Sequence, residues 1–176
     1  MNLPALIVSL SIAAAISFFA YYKLFWKPKR LQKIWQQIQA GDTRSSIRHL
    51  RTLIIKRGGS VDAHYLLAEC YRREGNCQMA VVEYRFCLKI GKKPTLTALK
   101  NIREGLVECY LKLRKFDEAL SELLELSRRE PKNHFYLYEI ARILYLRGNL
   151  EQAVAYFDRA VKVNPVHAPS LSYLGM

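Results

Sequence analysis

An internal repeat limits what this chain can fold into more than any other feature. The string Gly148-Asn149-Leu150-Glu151-Gln152-Ala153-Val154 returns as Gly75-Asn76-Cys77-Gln78-Met79-Ala80-Val81. It returns again as Arg114-Lys115-Phe116-Asp117-Glu118-Ala119-Leu120, and more faintly as Gly41-Asp42-Thr43-Arg44-Ser45-Ser46-Ile47. The turns starting at 41, 75, 114 and 148 are spaced 34, 39 and 34 residues apart. Apolar residues recur at helical spacing on both sides of each turn, and no strand-like alternation competes with them. A unit of this length is a helix, a turn and a second helix. It cannot bury its apolar face alone, so neighbouring units must stack. The expected fold is all-α, a superhelix of stacked antiparallel helix pairs. Gly75 and Gly148 permit the tight turns, and Pro131 and Pro165 stop helices from running on. The five extra residues of one unit fall near Gly91-Lys92-Lys93-Pro94-Thr95, which reads as a loop. Thr95 is placed to cap a longer helix running to Leu113.

The residues at these spacings resemble the tetratricopeptide repeat (TPR) family. The unit over 134–164 closes with Pro165 and carries Leu137, Ile140, Ala141, Leu144, Gly148, Ala153, Phe157 and Ala160 at the family's signature positions. The unit beginning at Val61 carries Leu67, Ala68, Tyr71, Gly75, Ala80 and Tyr84, with Cys87 where alanine is usual. The unit beginning at Lys100 carries Leu106, Tyr110, Ala119 and Pro131. Departures are His64 and Arg103 at the first large apolar position, Arg114 for glycine, and Leu126 for alanine. The pattern has a physical basis. Ala80, Ala119, Ala153 and Ala160 are small where paired helices approach closely, and Tyr71, Tyr84, Tyr110 and Phe157 fill the spaces between helices. The expected division is a basic TPR-like helix pair over 27–60, matched through Leu50 and Leu53, then units over 61–99, 100–133 and 134–167. Residues 168–176 restart the pattern, with Leu171, Leu174 and Gly175 in register.

The N-terminal 26 residues stand apart. No charged side chain occurs before Lys23, and residues 3–22 are predominantly apolar. As a helix that run would rise roughly 30 Å, the thickness of a hydrocarbon core. Phe18, Phe19, Tyr21, Tyr22, Phe25 and Trp26 cluster at one end as an interfacial belt would. A cleaved signal peptide carries its positive charge before the apolar run, whereas Lys23, Lys27, Lys29, Arg30 and Lys33 follow it. The expectation is a transmembrane helix ahead of the repeats, in a single-pass protein of the bacterial inner membrane. The basic flank puts the N-terminus outside and the repeats in the cytoplasm, with those five cations on lipid head groups. The net charge of +13 supports this division. Residues 1–60 hold ten Lys/Arg against Asp42 alone, while the remainder holds eighteen against fourteen acids. The basic excess is thereby explained without nucleic acid. Binding to nucleic acid through 23–57 would rely on Trp35 for stacking and would show a steep salt dependence.

Chemistry-bearing motifs are scarce. Cys70, Cys77, Cys87 and Cys109 form no C-x-x-C pair, and they read as buried free thiols in a reducing compartment. His49, His64, His134 and His167 are scattered, without a ligand at metal spacing. There is no phosphate loop, no G-x-S-x-G and no H-E-x-x-H. Glu104 and Glu108, four residues apart, read as a solvated or partner-facing helix surface. No enzyme, cofactor, metal or small-molecule substrate is expected.

The TPR resemblance implies a concave groove lined by the first helix of each unit, and hence protein partners. Its groove positions fall on Asp62, Tyr65, Glu69 and Arg72, on Asn101, Glu104, Glu108 and Leu111, and on Phe135, Tyr138, Arg142 and Tyr145. From these we expect Tyr65, Glu69, Arg72, Glu108, Tyr138, Arg142 and Tyr145 to bind a partner, as aromatic residues and arginines do at interface hot spots. Some of the tyrosines also suit packing between repeats. Tyr65 and Glu69 stand where the chaperone-binding subfamily needs lysine and asparagine, which argues against that role. The layout is similar to the bacterial lipopolysaccharide-assembly regulators, with an N-terminal anchor, cytoplasmic TPR units and one lengthened unit. Their rubredoxin-like domain has no counterpart in these residues. The resemblance implies a membrane-held adaptor for an envelope complex. Its rivals are a structural part of a large membrane machine, such as the spirochaete flagellar collar, and an organellar import receptor.

Overall fold

Four three-residue turns set the architecture. The computed structural model describes residues 14–19, 21, 27–91, 94–166, 169, 172 and 173, with the side chains of 27–29 and 57 left out. Among the described residues from 27 to 166, eight helices follow one another: α1 (Lys27–Gln39), α2 (Thr43–Arg57), α3 (Val61–Arg73), α4 (Cys77–Lys89), α5 (Leu99–Lys112), α6 (Phe116–Arg129), α7 (His134–Leu146) and α8 (Leu150–Val163). Gly41, Gly75, Arg114 and Gly148, the four turn starts legible in the sequence, all adopt positive φ, between 58° and 93°. The next residue is the N-cap of the second helix of each pair. Asp42, Asn76 and Asn149 accept hydrogen bonds from the backbone N–H groups of Ser45, Met79 and Gln152. These side chains satisfy donors that a helix N-terminus otherwise leaves unpaired.

Each helix packs on its sequence neighbour, and the first helices of successive pairs also touch, α1 on α3 and α3 on α5. One apolar core runs without a break from Ile34 and Ile38 through Leu66, Leu106 and Leu123 to Ile140 and Phe157. Ala80, Ala119, Ala153 and Ala160 are buried, as expected for close helix approach. The first pair is a full member of the stack, since Ile38 and Leu50 are completely buried.

The lengthened unit differs from expectation in one respect. The helix after the insertion begins at Leu99, and its cap residue, Ala98, makes no side-chain hydrogen bond. Thr95 instead turns back to α3. Its N–H and hydroxyl donate to the Asp62 carboxylate at 2.7 and 2.6 Å, and the Leu96 N–H adds a third bond at 2.9 Å. Thr95 and Leu96 of the lengthened unit are therefore tied down by the buried Asp62 carboxylate.

The membrane placement is corrected. Residues 14–19 and 21 are helical, and Ile16, Phe18, Phe19 and Tyr21 are exposed. Among the described residues no helix is long and apolar enough to cross a membrane. Hydropathy over 3–22 tests composition, whereas spanning needs about 20 residues in one unbroken helix. The single-pass assignment, with outside N-terminus and cytoplasmic repeats, is withdrawn on this ground. Residues 1–13, 20 and 22–26 of the expected span and belt lie outside the described residues. The expected head-group contacts of Lys23, Lys27, Lys29, Arg30 and Lys33 are a separate expectation that this finding does not touch. Lys23 and the side chains of Lys27 and Lys29 lie outside the described residues, and Arg30 and Lys33 are exposed on α1.

Candidate functional site

Residues three and four apart on α3 share one face, so Asp62, Tyr65, Glu69 and Arg72 line up along it. That face is largely covered. Tyr65 is 6% exposed, with its ring 6.2 Å from Trp35 and 6.4 Å from Tyr84. Glu69 is 5% exposed, and a carboxylate so buried must be compensated. The Tyr84 hydroxyl donates to Glu69 Oε1, and Arg72 Nη2 donates to Oε2 at 2.8 Å. Arg72 Nη1 then reaches across to Glu108 Oε2 on α5 at 2.6 Å, and Lys112 Nζ closes the series on Glu108 Oε1 at 2.7 Å. A continuous polar ladder, Tyr84–Glu69–Arg72–Glu108–Lys112, thus ties α4, α3 and α5 together.

The electrostatics follow from this wiring. The hydrogen bond to Glu69 raises the basicity of Arg72 above its ordinary value, outweighing its partial burial. Burial pushes the Glu108 carboxyl up, but Lys112 and Arg72 more than offset it and hold the group below the ordinary carboxylate value. Burial first, then the Glu69 carboxylate, pushes the Tyr84 phenol up, so that it stays a hydrogen-bond donor.

A second cluster forms on α7. Arg142 Nη2 and Nε donate to the buried Glu139 at 2.6 and 3.1 Å. Tyr138 lies 5.9 Å from Phe157 and 6.3 Å from Tyr173. Tyr173 stacks on Phe157 at 4.7 Å, its plane within 7°, and meets Tyr145 edge-on at 5.2 Å. The restarted pattern after Pro165 thereby places at least Tyr173 against the last full pair. Between the two clusters, α5 meets α7 through polar groups. The Tyr136 hydroxyl donates to Glu104, and Lys100 Nζ sits 5.8 Å over the Tyr136 ring while bonding Glu130 at 2.7 Å.

The seven residues expected at the groove therefore fall into two sets. Tyr65, Glu69, Arg72 and Glu108 are wired into one network, and Tyr138, Arg142 and Tyr145 belong to the other. Arg72, Glu108 and Arg142 keep 25, 41 and 29% of their side chains exposed, and Tyr145 is 39% exposed. Tyr65 and Glu69 are covered and act by positioning their neighbours. Sequence reasoning missed the phenol donors Tyr84 and Tyr136 and the carboxylates Glu83, Glu122 and Glu139. A signal for Glu139 was present, since Glu139–Arg142 repeats the three-residue spacing of Glu69–Arg72.

The two departures at the first large apolar position are resolved by pairing. His64 Nδ1 lies 2.6 Å from Glu83, with its ring 4.1 Å from Phe86, and Arg103 pairs with Glu122. In both cases the carboxylate is 19 residues further along, on the second helix of the same pair. Cys70, Cys87 and Cys109 are buried, and burial pushes each thiol up to about 12, which removes them as thiolate nucleophiles. Among the described residues no group of three or more His, Cys, Asp or Glu is arranged to hold a metal ion.

A tetratricopeptide repeat family model matches residues 31–84 and 106–168, most of the described helices. The chain belongs to the tetratricopeptide repeat family. Solved structures agree with this TPR fold. MamA from Desulfovibrio magneticus RS-1, from residue 41 to its end, superposes with a TM-score of 0.70 at 18% identity, covering 84% of this chain and 81% of that one. MamA AMB-1 gives 0.69 at 17% identity, with 81% and 75% covered. A TPR protein from Parabacteroides merdae ATCC 43184 gives 0.69 at 21% identity, covering 82% of this chain and 56% of that one. At these identities the likeness is one of fold. No curated protein sequence matches the chain.

Proposed function

We propose that this TPR protein is a non-catalytic scaffold that binds protein partners along the surface formed by its first helices. The observation that carries this reading is the fixed ladder from Glu69 to Lys112, which leaves Arg72 and Glu108 partly exposed. Charges of both signs are thereby held in place before a partner arrives, which lowers the entropic cost of docking. Tyr145, with Arg142 beside it, adds an aromatic and an arginine of the kind that carry hot-spot energy. Tyr65, Glu69 and Tyr138 serve the surface by supporting it. A finer reading is an adaptor for an envelope complex, like the lipopolysaccharide-assembly regulators. It rests on the repeat order and the lengthened unit, and no longer on an anchor.

The test is partner capture from native cell extract by the immobilised full chain. Tyr145→Ala with Glu108→Gln should lose the captured protein while keeping helical content and unfolding midpoint. Arg85→Ala with Arg159→Ala, exposed on second helices, should lose nothing. Loss from the second pair and not from the first would place the working surface elsewhere.

A further inference from the structure

A cleft of about 540 Å³ opens between α1 and α2, walled by Arg30, Lys33, Arg48 and Lys56, with Ile34 and Leu53 as its apolar floor. The four cations are exposed, and none has a carboxylate within ion-pairing distance. Elsewhere Arg72, Lys100, Arg103, Lys112, Arg142 and Arg147 each contact an acidic side chain. Exposed cations without such a partner, such as Lys89, Lys132 and Arg159, also occur, but the cleft gathers four around one opening. Every Asp and Glu of the sequence lies among the described residues. Asp42 is the sole acid of residues 1–60, and it caps α2 through the Ser45 N–H. No Asp or Glu among the described residues neutralises the cleft.

We propose that the cleft is a second binding site, which takes an acidic amphipathic segment of a partner protein, separate from the first-helix surface. Three features define the occupant. Arg48 and Lys56 are two helical turns apart, about 12 Å along α2, and Arg30 and Lys33 face them from α1. Cations spread over that length match several carboxylates in a row and outspan a single small anion. The floor of buried Ile34 and half-buried Leu53 offers apolar contact to side chains between those carboxylates. Trp35, the nearest aromatic on α1, is turned to Tyr65 and the Arg73 guanidinium, so it gives bases no stacking platform. A protein segment satisfies all three features, and a nucleic acid strand satisfies only the charge.

Fluorescence anisotropy of the full chain with a labelled ten-residue peptide of alternating Glu-Glu and Leu-Leu blocks tests this. Wild type should bind, with affinity falling as salt rises. Arg48→Glu with Lys56→Glu should weaken binding at least tenfold and create affinity for the matching Lys-Lys/Leu-Leu peptide, a gain that an unfolded variant would not show. Lys89→Glu with Lys132→Glu makes the same change in net charge at exposed positions away from the cleft. It should leave the affinity within twofold, as should Tyr145→Ala with Glu108→Gln, which separates this site from the first-helix surface. Equal loss in the Lys89/Lys132 variant would reduce the binding to net charge and overturn the proposal. An unchanged affinity in the Arg48/Lys56 variant would also overturn it. So would tighter binding of a ten-nucleotide oligothymidylate that depends on the same two cations.

Discussion

Arg114 occupies the turn position where the other three pairs have glycine, and it is held at φ 58°. A side chain there costs roughly 1–2 kcal/mol, because Cβ crowds the following carbonyl. Lys115 follows it where the other turns carry Asp42, Asn76 or Asn149, and it provides no capping hydrogen bond. Both deficits lie in the sequence and both can be repaired. Arg114→Gly with Lys115→Asn should raise stability by about 2 kcal/mol in urea unfolding, one part from relieved strain and one from the new cap. An unchanged midpoint would mean that the turn relaxes when the chain is free to do so. Arg103 and His64 are a different kind of departure. Each was visible in the sequence as a polar residue at an apolar position, but its partner was not, because the pairing runs between helices. Glu122→Ala should cost about 1–2 kcal/mol by leaving the half-buried Arg103 unpaired. Arg103→Leu with Glu122→Tyr, the residues that Leu137 and Tyr156 supply in the last unit, should restore most of that loss. Equal losses in both variants would show that packing around the site, and not the unpaired charge, sets the cost.

Among the elements, the helix pairs were legible because their signals are local: turn glycines, Asx caps and small residues at close approaches. The start of α5 was not. Thr95 looked like a helix cap by residue type, yet Asp62, 33 residues away, claims its N–H and hydroxyl. The groove reading met the same limit. Position along α3 puts Tyr65 and Glu69 on one face with Arg72, but their burial depends on Trp35 from α1 and Tyr84 from α4. Gly105 on α5 shows how tightly these elements meet. A Cβ there would lie 2.5 Å from Tyr84 Cζ and 2.6 Å from its hydroxyl, the group that donates to Glu69. Gly105→Ala should therefore cost about 1–3 kcal/mol through overpacking and move the Tyr84 ring off Glu69. Near-ultraviolet circular dichroism alongside urea unfolding checks this, and a variant as stable as wild type would mean that α4 and α5 separate easily.

At the scale of the molecule, one core joins four helix pairs, and the polar ladder gives the first-helix side a fixed pattern of charge. Composition alone supported a span in the apolar N-terminal run, and among the described residues no helix is long and apolar enough to cross a membrane. The central claim is that partners dock on the first-helix side. Site-specific photo-crosslinking tests it most directly, with the photoreactive residue placed at Tyr145 on α7 or at Val82 on α4, which is 58% exposed. In native extract the Tyr145 position should crosslink the captured partner, and Glu108→Gln should reduce that yield severalfold. The Val82 position should give background only. A partner crosslinked from Val82 and not from Tyr145 would contradict the account.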